Sequence, residues 1–156
     1  MDSRPIGVFD SGLGGLSVVK ELQTVLPDEN IVYFGDTGRI PYGTKSPETV
    51  VKYARQDEQF LLQYDVKLII AACGTVSSVA SFTADELPVP FIEVVTPTAI
   101  AAAKATKNGK IGVLGTSATV NSGSFKNKLL SIDPSFTVVQ AACPLFVQLV
   151  ESGWIN

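Results

Sequence analysis

Residues 68–80, LIIAACGTVSSVA, decide the fold of this 156-residue chain. The first residues are apolar and rich in β-branched side chains, which is typical of a buried strand. A cysteine, a glycine and several hydroxyl residues follow, and the stretch ends with small residues at a helical spacing. The stretch therefore predicts a strand, a tight turn and a helix, with Cys73 at the carboxyl end of the strand. In open α/β sheets, ligands bind at that end.

Cys73 has two interpretations from this stretch alone. The amino end of a helix attracts negative charge and lowers the pKa of a thiol, so Cys73 would be a reactive base or nucleophile. This interpretation predicts that iodoacetamide alkylates Cys73 faster than Cys143, the second cysteine of the chain. Free cysteines are, however, often small buried hydrophobic residues without a chemical role. Residues 68–80 do not decide between the two.

The same alternation of strand and helix extends along the chain. We expect further strands at 5–9, 31–35, 90–95, 110–115 and 136–141, with helices between them that include 98–106 and 122–131. This pattern predicts an α/β fold, a three-layer sandwich built on parallel sheets. Asp10 and Ser11 follow the first strand as Cys73 follows its own, and Asp10 could equally act as a turn cap.

A change of composition near Thr96 suggests two domains. The first, 1–96, carries Cys73, and Thr96 with Pro97 is expected to cap and open the next helix. The second, 97–156, is similar but has too few strands to complete a sheet covered on both faces, so we expect it to be incomplete and the chain to be truncated. An uncovered edge or face of the first sheet would then make the chain dimerise, aggregate or bind a hydrophobic dye. A homodimer is one such outcome.

Charge and composition exclude several classes of function. The net charge is −3 and no Lys/Arg cluster occurs, which argues against nucleic acid and against an anionic membrane surface as partners. No apolar run is long enough to span a membrane. Two distant cysteines and the absence of a signal peptide indicate the cytoplasm. The chain has no histidine, which with two cysteines argues against a metal site.

Five stretches together resemble one family, the glutamate racemases of the cofactor-independent aspartate/glutamate racemase group. They are residues 6–15 (IGVFDSGLGG), 36–43 (DTGRIPYG), 72–75 (ACGT), 112–119 (GVLGTSAT) and 142–151 (ACPLFVQLVE). The resemblance covers nearly the whole chain in the same order. It implies two similar α/β domains that face each other with the amino acid between them.

The resemblance also implies an activity and a set of site residues. The activity is the interconversion of L- and D-glutamate, which supplies D-glutamate for peptidoglycan synthesis and needs no cofactor. Two cysteines on opposite sides of Cα transfer the proton, and Cys73 matches the first of them. Asp10 matches a carboxylate beside that thiol, and Glu151 matches an acidic residue near the opposite face. Residues matching the substrate-binding positions are Asp10, Ser11, Pro41, Tyr42, Gly43, Gly74, Thr75, Thr116 and Thr119.

Two departures from the family pattern stand out. Gly74 occupies a position where most members have Asn, which removes one amide contact. The second family cysteine lies in a downstream GCTHYP stretch that this chain does not contain. Cys143 belongs to an earlier motif, and we expect it to be a buried structural residue at a strand end. The chain is therefore expected to lack the second base and to be inactive by itself.

Three alternatives to a glutamate racemase remain open at this stage. The first is a racemase of aspartate or another acidic amino acid, because pocket shape cannot be read from the motifs. The second is a non-catalytic fragment that binds an acidic ligand without turnover. The third is a nucleotide-binding domain that uses the glycine turn at 12–15, although this turn lacks both the dinucleotide spacing and the P-loop lysine.

Overall fold

The structure is a computed structural model that describes residues 2–154. Strands and helices alternate along this part of the chain. They are β1 (Ile6–Asp10), α1 (Leu16–Val25), β2 (Ile31–Gly35), α2 (Pro47–Leu62), β3 (Leu68–Ala71), α3 (Gly74–Val79), β4 (Phe91–Glu93), α4 (Val95–Ala105), β5 (Lys110–Gly115), α5 (Ser117–Ser122), α6 (Ser124–Ile132), β6 (Thr137–Ala142) and α7 (Phe146–Glu151). Short 3₁₀ helices lie at Tyr42–Thr44 and Ser81–Glu86. The expected α/β fold is confirmed.

The first sheet has four parallel strands in the order β2-β1-β3-β4. β1 is central and entirely buried, and Val8 lies opposite Tyr33 of β2 and Ile70 of β3. Because all four strands are parallel, their carboxyl ends meet at one edge of the sheet. That edge brings the residues after β1, β2 and β3 together.

Helices cover both faces of this sheet. On one face, Phe9 packs with the apolar side of α2, including Val50 and Leu61. On the other face, Ile6, Val8 and Ile70 pack against α1. The first sheet is therefore the middle of three layers, as the sequence predicts. The expectation of an uncovered edge or face is therefore wrong for the faces of this sheet, and β2 and β4 are its edge strands.

The uncovered face belongs to the second sheet, which consists of β5 and β6 in parallel. Side chains of both strands alternate between half-buried and exposed. The half-buried side packs against α5 and α6. The other side leaves Leu114 64% and Val139 66% exposed. α7 has no buried residue, and Trp154 beyond it is 76% exposed.

Two helix boundaries differ from the expected ones. α4 begins at Val95, and Glu93 rather than Thr96 caps it, because the Glu93 carboxylate accepts the backbone N–H groups of Val95 and Thr96. The helix expected at 122–131 is two helices. Gly123 adopts φ +67° between them, a left-handed conformation that glycine reaches without a Cβ clash. The division into domains at Thr96 stays a prediction.

Candidate active site between the two sheets

A cavity of about 540 Å³ lies at the carboxyl edge of the first sheet and reaches the ends of β5 and β6. All eleven residues that the sequence proposes for the site line this cavity, from Asp10 at the end of β1 to Glu151 in α7. They come from both parts of the chain, since Thr116 and Thr119 belong to the start of α5. Their roles in binding and catalysis stay predictions.

Asp10 organises the glycine turn after β1. Its Oδ2 accepts the backbone N–H groups of Gly12 at 3.0 Å and Gly15 at 3.1 Å. Asp10 is therefore a turn cap, and it also lies in the cavity wall beside Cys73. Each of these N–H groups would otherwise be a buried donor without an acceptor, a cost of about 1–3 kcal/mol.

Glu151 brings α7 onto the same turn. Its Oε1 accepts the backbone N–H of Leu13 at 2.9 Å. A Cβ at Gly12 would lie 2.3 Å from this oxygen, so the glycine makes room for the carboxylate. The contact joins α7 to the turn after β1, and Glu151 lines the cavity.

Cys73 lies at the end of β3 and is the N-cap residue of α3. Its side chain is only 3% exposed, and its thiol donates to Ser11 Oγ at 3.4 Å. The pKa of Cys73 is raised to about 11, mainly by burial and also by the nearby negative charge of Asp10, while contacts with Ser11 and Val76 oppose the shift. The expected depression of the Cys73 pKa is therefore wrong. Desolvation outweighs the helix end because the thiolate has lost its water.

This pKa reverses the expected order of thiol reactivity. The thiolate fraction at a given pH falls tenfold for each unit of pKa, so Cys73 at pH 8 should react about 10²-fold more slowly with iodoacetamide than an ordinary thiol. We expect Cys143 to be alkylated first. Asp10→Asn keeps an oxygen for the glycine N–H groups and removes the charge, so it should accelerate Cys73. Peptide mass spectrometry over time measures both rates, and a faster Cys73 in the wild type would contradict the assignment.

Three threonine hydroxyls form a chain across the cavity wall. Thr75 Oγ1 and Thr116 Oγ1 are 3.0 Å apart, and Thr116 Oγ1 donates to Thr119 Oγ1 at 3.0 Å. Thr116 is also the N-cap of α5, because its Oγ1 accepts the backbone N–H of Thr119 at 3.2 Å. These three hydroxyls link the helix that follows Cys73 to the second sheet. They can reorient to donate to a bound carboxylate.

The loop after β2 forms the opposite wall, and Tyr42 is the largest buried side chain in it. The side chain is 1% exposed, and its hydroxyl contacts the carboxylates of Asp36 and Asp57. Its ring is therefore not free to close over a ligand. Pro41 and Gly43 on either side line the cavity. Gly43 packs so closely on Thr116 that a Cβ would lie 2.3 Å from Thr116 Cβ.

Cys143 also lines the cavity, which the sequence did not predict. It follows β6 and is half-buried rather than buried, with Ala141 O 3.8 Å from its sulfur. The expectation of a buried structural cysteine is wrong in this respect. Sequence reasoning also missed the apolar lining from Phe125 and Phe146, since single aromatic residues in an amphipathic helix carry no signal of a site.

Within residues 2–154, no group of three or more His, Cys, Asp or Glu residues is arranged to hold a metal ion. None of the helices in the same range combines the length and the apolar composition that crossing a bilayer requires.

Comparisons with known proteins give a consistent result. No family model matches the chain. The chain is 46% identical to a glutamate racemase from Geobacter metallireducens, with 100% of this chain and 58% of that protein aligned. It is 50% identical to a glutamate racemase from a Sulfurihydrogenibium species, covering 97% of this chain and 59% of that protein.

The fold comparison agrees with the sequence comparison. The crystal structure of glutamate racemase from Francisella tularensis in complex with D-glutamate superposes with a TM-score of 0.93 at 42% identity, over 100% of this chain and 59% of that one. The chain thus spans about three-fifths of the length of the relatives it matches. The resemblance inferred from the five motifs is confirmed: over its whole length, this chain is similar in sequence and in fold to glutamate racemases.

Proposed function

We propose that this chain forms the glutamate-binding cavity of a glutamate racemase and supplies one of its two bases, Cys73. The observation that carries the proposal is the position of the Cys73 thiol, at the end of β3 in a cavity that also holds Asp10 and three linked threonine hydroxyls. The D-glutamate complex of the Francisella tularensis relative supports the choice of substrate. The similarity to glutamate racemases favours this function over an aspartate racemase or a non-catalytic fragment.

Each group has a role in the proposed reaction. The threonine hydroxyls donate to a substrate carboxylate, and the apolar wall excludes water. The substrate brings a positively charged α-ammonium group, which offsets the negative charge of Asp10 and favours the Cys73 thiolate. Cys73 then accepts the α-proton from one face, and inversion requires a proton donor on the other face.

The glycine turn is poorly suited to a nucleotide. A phosphate-binding turn needs free backbone N–H groups. Here Asp10 accepts those of Gly12 and Gly15, and Glu151 accepts that of Leu13. Two carboxylates thus occupy the donors that a phosphate would use, which favours the amino acid over the nucleotide as ligand.

Calorimetry on the isolated chain tests the ligand. We expect D- or L-glutamate to bind more tightly than aspartate, and ATP not to bind. Thr116→Val removes the middle one of the three linked threonine hydroxyls. It should weaken glutamate binding by about tenfold, which corresponds to the loss of one hydrogen bond to a charged group. Tighter binding of aspartate than of glutamate would assign the cavity to another amino acid.

We also propose that the whole protein acts in the cytoplasm and supplies D-glutamate for peptidoglycan, and hence for cell wall biogenesis and cell shape. The family resemblance supports this role. Growth of a D-glutamate auxotroph that carries the complete gene is the test. Growth that still requires added D-glutamate would contradict it.

The exposed apolar side of β5 and β6 supports self-association, including a homodimer. Leu114 and Val139 lie on this side, and exposed apolar patches favour contact between copies. We expect the chain to elute above its monomer mass or to bind a hydrophobic dye. Val139→Lys should reduce both signals. A monomer that unfolds in one sharp thermal transition and binds no dye would show that the exposed side of β5 and β6 does not cause self-association.

A further inference from the structure

Asp36, Arg39 and Tyr42 of the loop after β2 form a ring with Asp57 of α2, called here the tyrosine ring. Its two carboxyl groups and Tyr42 are buried, and the Arg39 side chain is 30% exposed. Arg39 Nη2 donates to Asp57 Oδ1 at 2.7 Å, and Arg39 Nε donates to Asp36 Oδ2. Tyr42 Oη lies 2.9 Å from Asp57 Oδ2 and also contacts Asp36 Oδ2. Asp57 is completely buried in α2.

The ring lacks one proton if both carboxyl groups are ionised. Tyr42 has a single hydroxyl proton, which can serve only one of its two carboxylate neighbours. The other carboxylate oxygen would then face a phenol lone pair, and the ring would carry two negative charges against one positive charge. A proton on Asp57 Oδ2 removes both problems, because Asp57 donates to Tyr42 and Tyr42 donates to Asp36. The ring is then closed and neutral.

The tyrosine ring is connected to the cavity wall through Tyr42 and its two neighbours in the chain. Tyr42 stands between Pro41 and Gly43, which both line the cavity. Gly43 packs directly on Thr116, and Thr116 contacts Thr75 two residues after Cys73. A shift of Tyr42 therefore moves Pro41 and Gly43, and with them the part of the cavity wall that contacts Thr116.

We propose that Asp57 is a positioning residue of the site: in its protonated form it closes the tyrosine ring, and the closed ring holds the Pro41–Gly43 wall against Thr116. The proposal extends the function proposed above, since it makes the affinity of the cavity for glutamate depend on pH. Asp57 does not line the cavity and acts only through Tyr42, which does.

The ionisable groups around Asp57 agree with a proton at this position. The pKa of Asp57 is raised to about 7, with burial as the main cause. Hydrogen bonding from Tyr42 and the charge of Arg39 oppose this shift, and the negative charges of Asp36 and Glu58 act in the same direction as burial. Glu58, the next residue in α2, bonds to Thr83 instead, and burial also raises its pKa to about 7.

The other ionisable groups on the neighbouring elements have separate partners. Tyr53 of α2 lies under Arg39, whose guanidinium carbon is 4.3 Å from the ring centre. Glu86 of the 3₁₀ helix at Ser81–Glu86 is paired with Arg55 at 2.6 Å. Asp10 of β1 and Cys73 before α3 face the cavity. Glu58→Gln is therefore the matched control, because it removes a neighbouring buried carboxyl without touching the ring.

The first experiment follows the backbone amide signals of Gly43 and Thr44 by NMR between pH 5 and 8.5. We expect both to titrate with a midpoint near pH 7 in the wild type, and at a lower pH in Glu58→Gln, because that variant lacks a negative charge that raises the pKa of Asp57. Asp57→Asn should abolish the titration, because an amide donates to Tyr42 and accepts from Arg39 at every pH. Flat wild-type signals, a titration that persists in Asp57→Asn, or one lost in Glu58→Gln would each overturn the proposal.

The second experiment measures glutamate affinity by calorimetry at pH 6 and pH 8. With a pKa near 7, the protonated fraction of Asp57 falls from about ten elevenths to about one eleventh, so the affinity should fall about tenfold. Asp57→Asn should bind at pH 8 as the wild type binds at pH 6, and Tyr42→Phe should bind weakly at both. Equal pH dependence in the wild type and Asp57→Asn would overturn the proposal. A wild type that binds no glutamate at either pH contradicts the proposed function, while the amide titration still decides the role of Asp57.

Discussion

The 156-residue chain is expected to exchange the α-proton of one enantiomer of glutamate with solvent without converting it into the other. Inversion needs a base on each side of Cα, and Cys73 alone matches a family base. Removing a general acid or base lowers the rate by about 10²–10⁴-fold. In D₂O, Cys73 would return a solvent deuteron to the face from which it took the proton. Proton NMR reports this exchange, and polarimetry reports the absence of racemisation.

Two serine variants are the controls for this experiment. Cys73→Ser should abolish the exchange, because a serine hydroxyl is a far weaker acid than a thiol. Cys143→Ser should leave the exchange unchanged. Racemisation above the level of Cys73→Ser would show that the chain already contains a second base. If that racemisation also disappeared in Cys143→Ser, the base would be Cys143, which the structure places in the cavity lining.

The sequence predicted the parts of the fold that depend on local periodicity. The strand at 68–71, the turn at Cys73 and the following helix lie where the pattern of apolar and hydroxyl residues places them. Ser46 caps α2 and Pro47 is its first residue, as the cap signal indicates. Parallel pairing followed from the alternation of strand and helix. These features could be predicted because each is determined by residues close together in the chain.

Features that depend on burial could not be predicted in the same way. The pKa of Cys73 is decided by desolvation, which a sequence does not display and which outweighs the helix end. The tyrosine ring was missed, although α2 contained a signal. Asp57 and Glu58 fall at the same helical spacing as the buried Val50, Ala54 and Leu61. Two acidic residues on the apolar side of a helix indicate buried carboxyls with partners elsewhere.

Gly43→Ala is expected to destabilise the contact between the cavity loop and α5. A Cβ at Gly43 would lie 2.3 Å from Thr116 Cβ and 2.4 Å from its Cγ2, far inside van der Waals distance. Thr116 cannot rotate away without giving up its cap of α5 and its bond to Thr75. Overpacking of this kind costs about 1–3 kcal/mol of unfolding free energy. Glutamate binding should weaken with it, because the same contact forms the cavity wall.

Variants at two other glycines show whether the destabilisation comes from the clash at Gly43 or from replacing any glycine by alanine. At Gly74 a Cβ meets no atom within 4 Å, and Gly74→Ala at the start of α3 should stabilise the chain by about 0.4–1 kcal/mol through the unfolded state. At Gly12 the clash is with the carboxylate of Glu151, whose flexible side chain can move. We therefore expect urea unfolding to rank the variants with Gly74→Ala as the most stable, Gly12→Ala next and Gly43→Ala last. If Gly43→Ala unfolded at the wild-type urea concentration, the loop would not be packed on Thr116, and the wall that the tyrosine ring is proposed to hold would not exist.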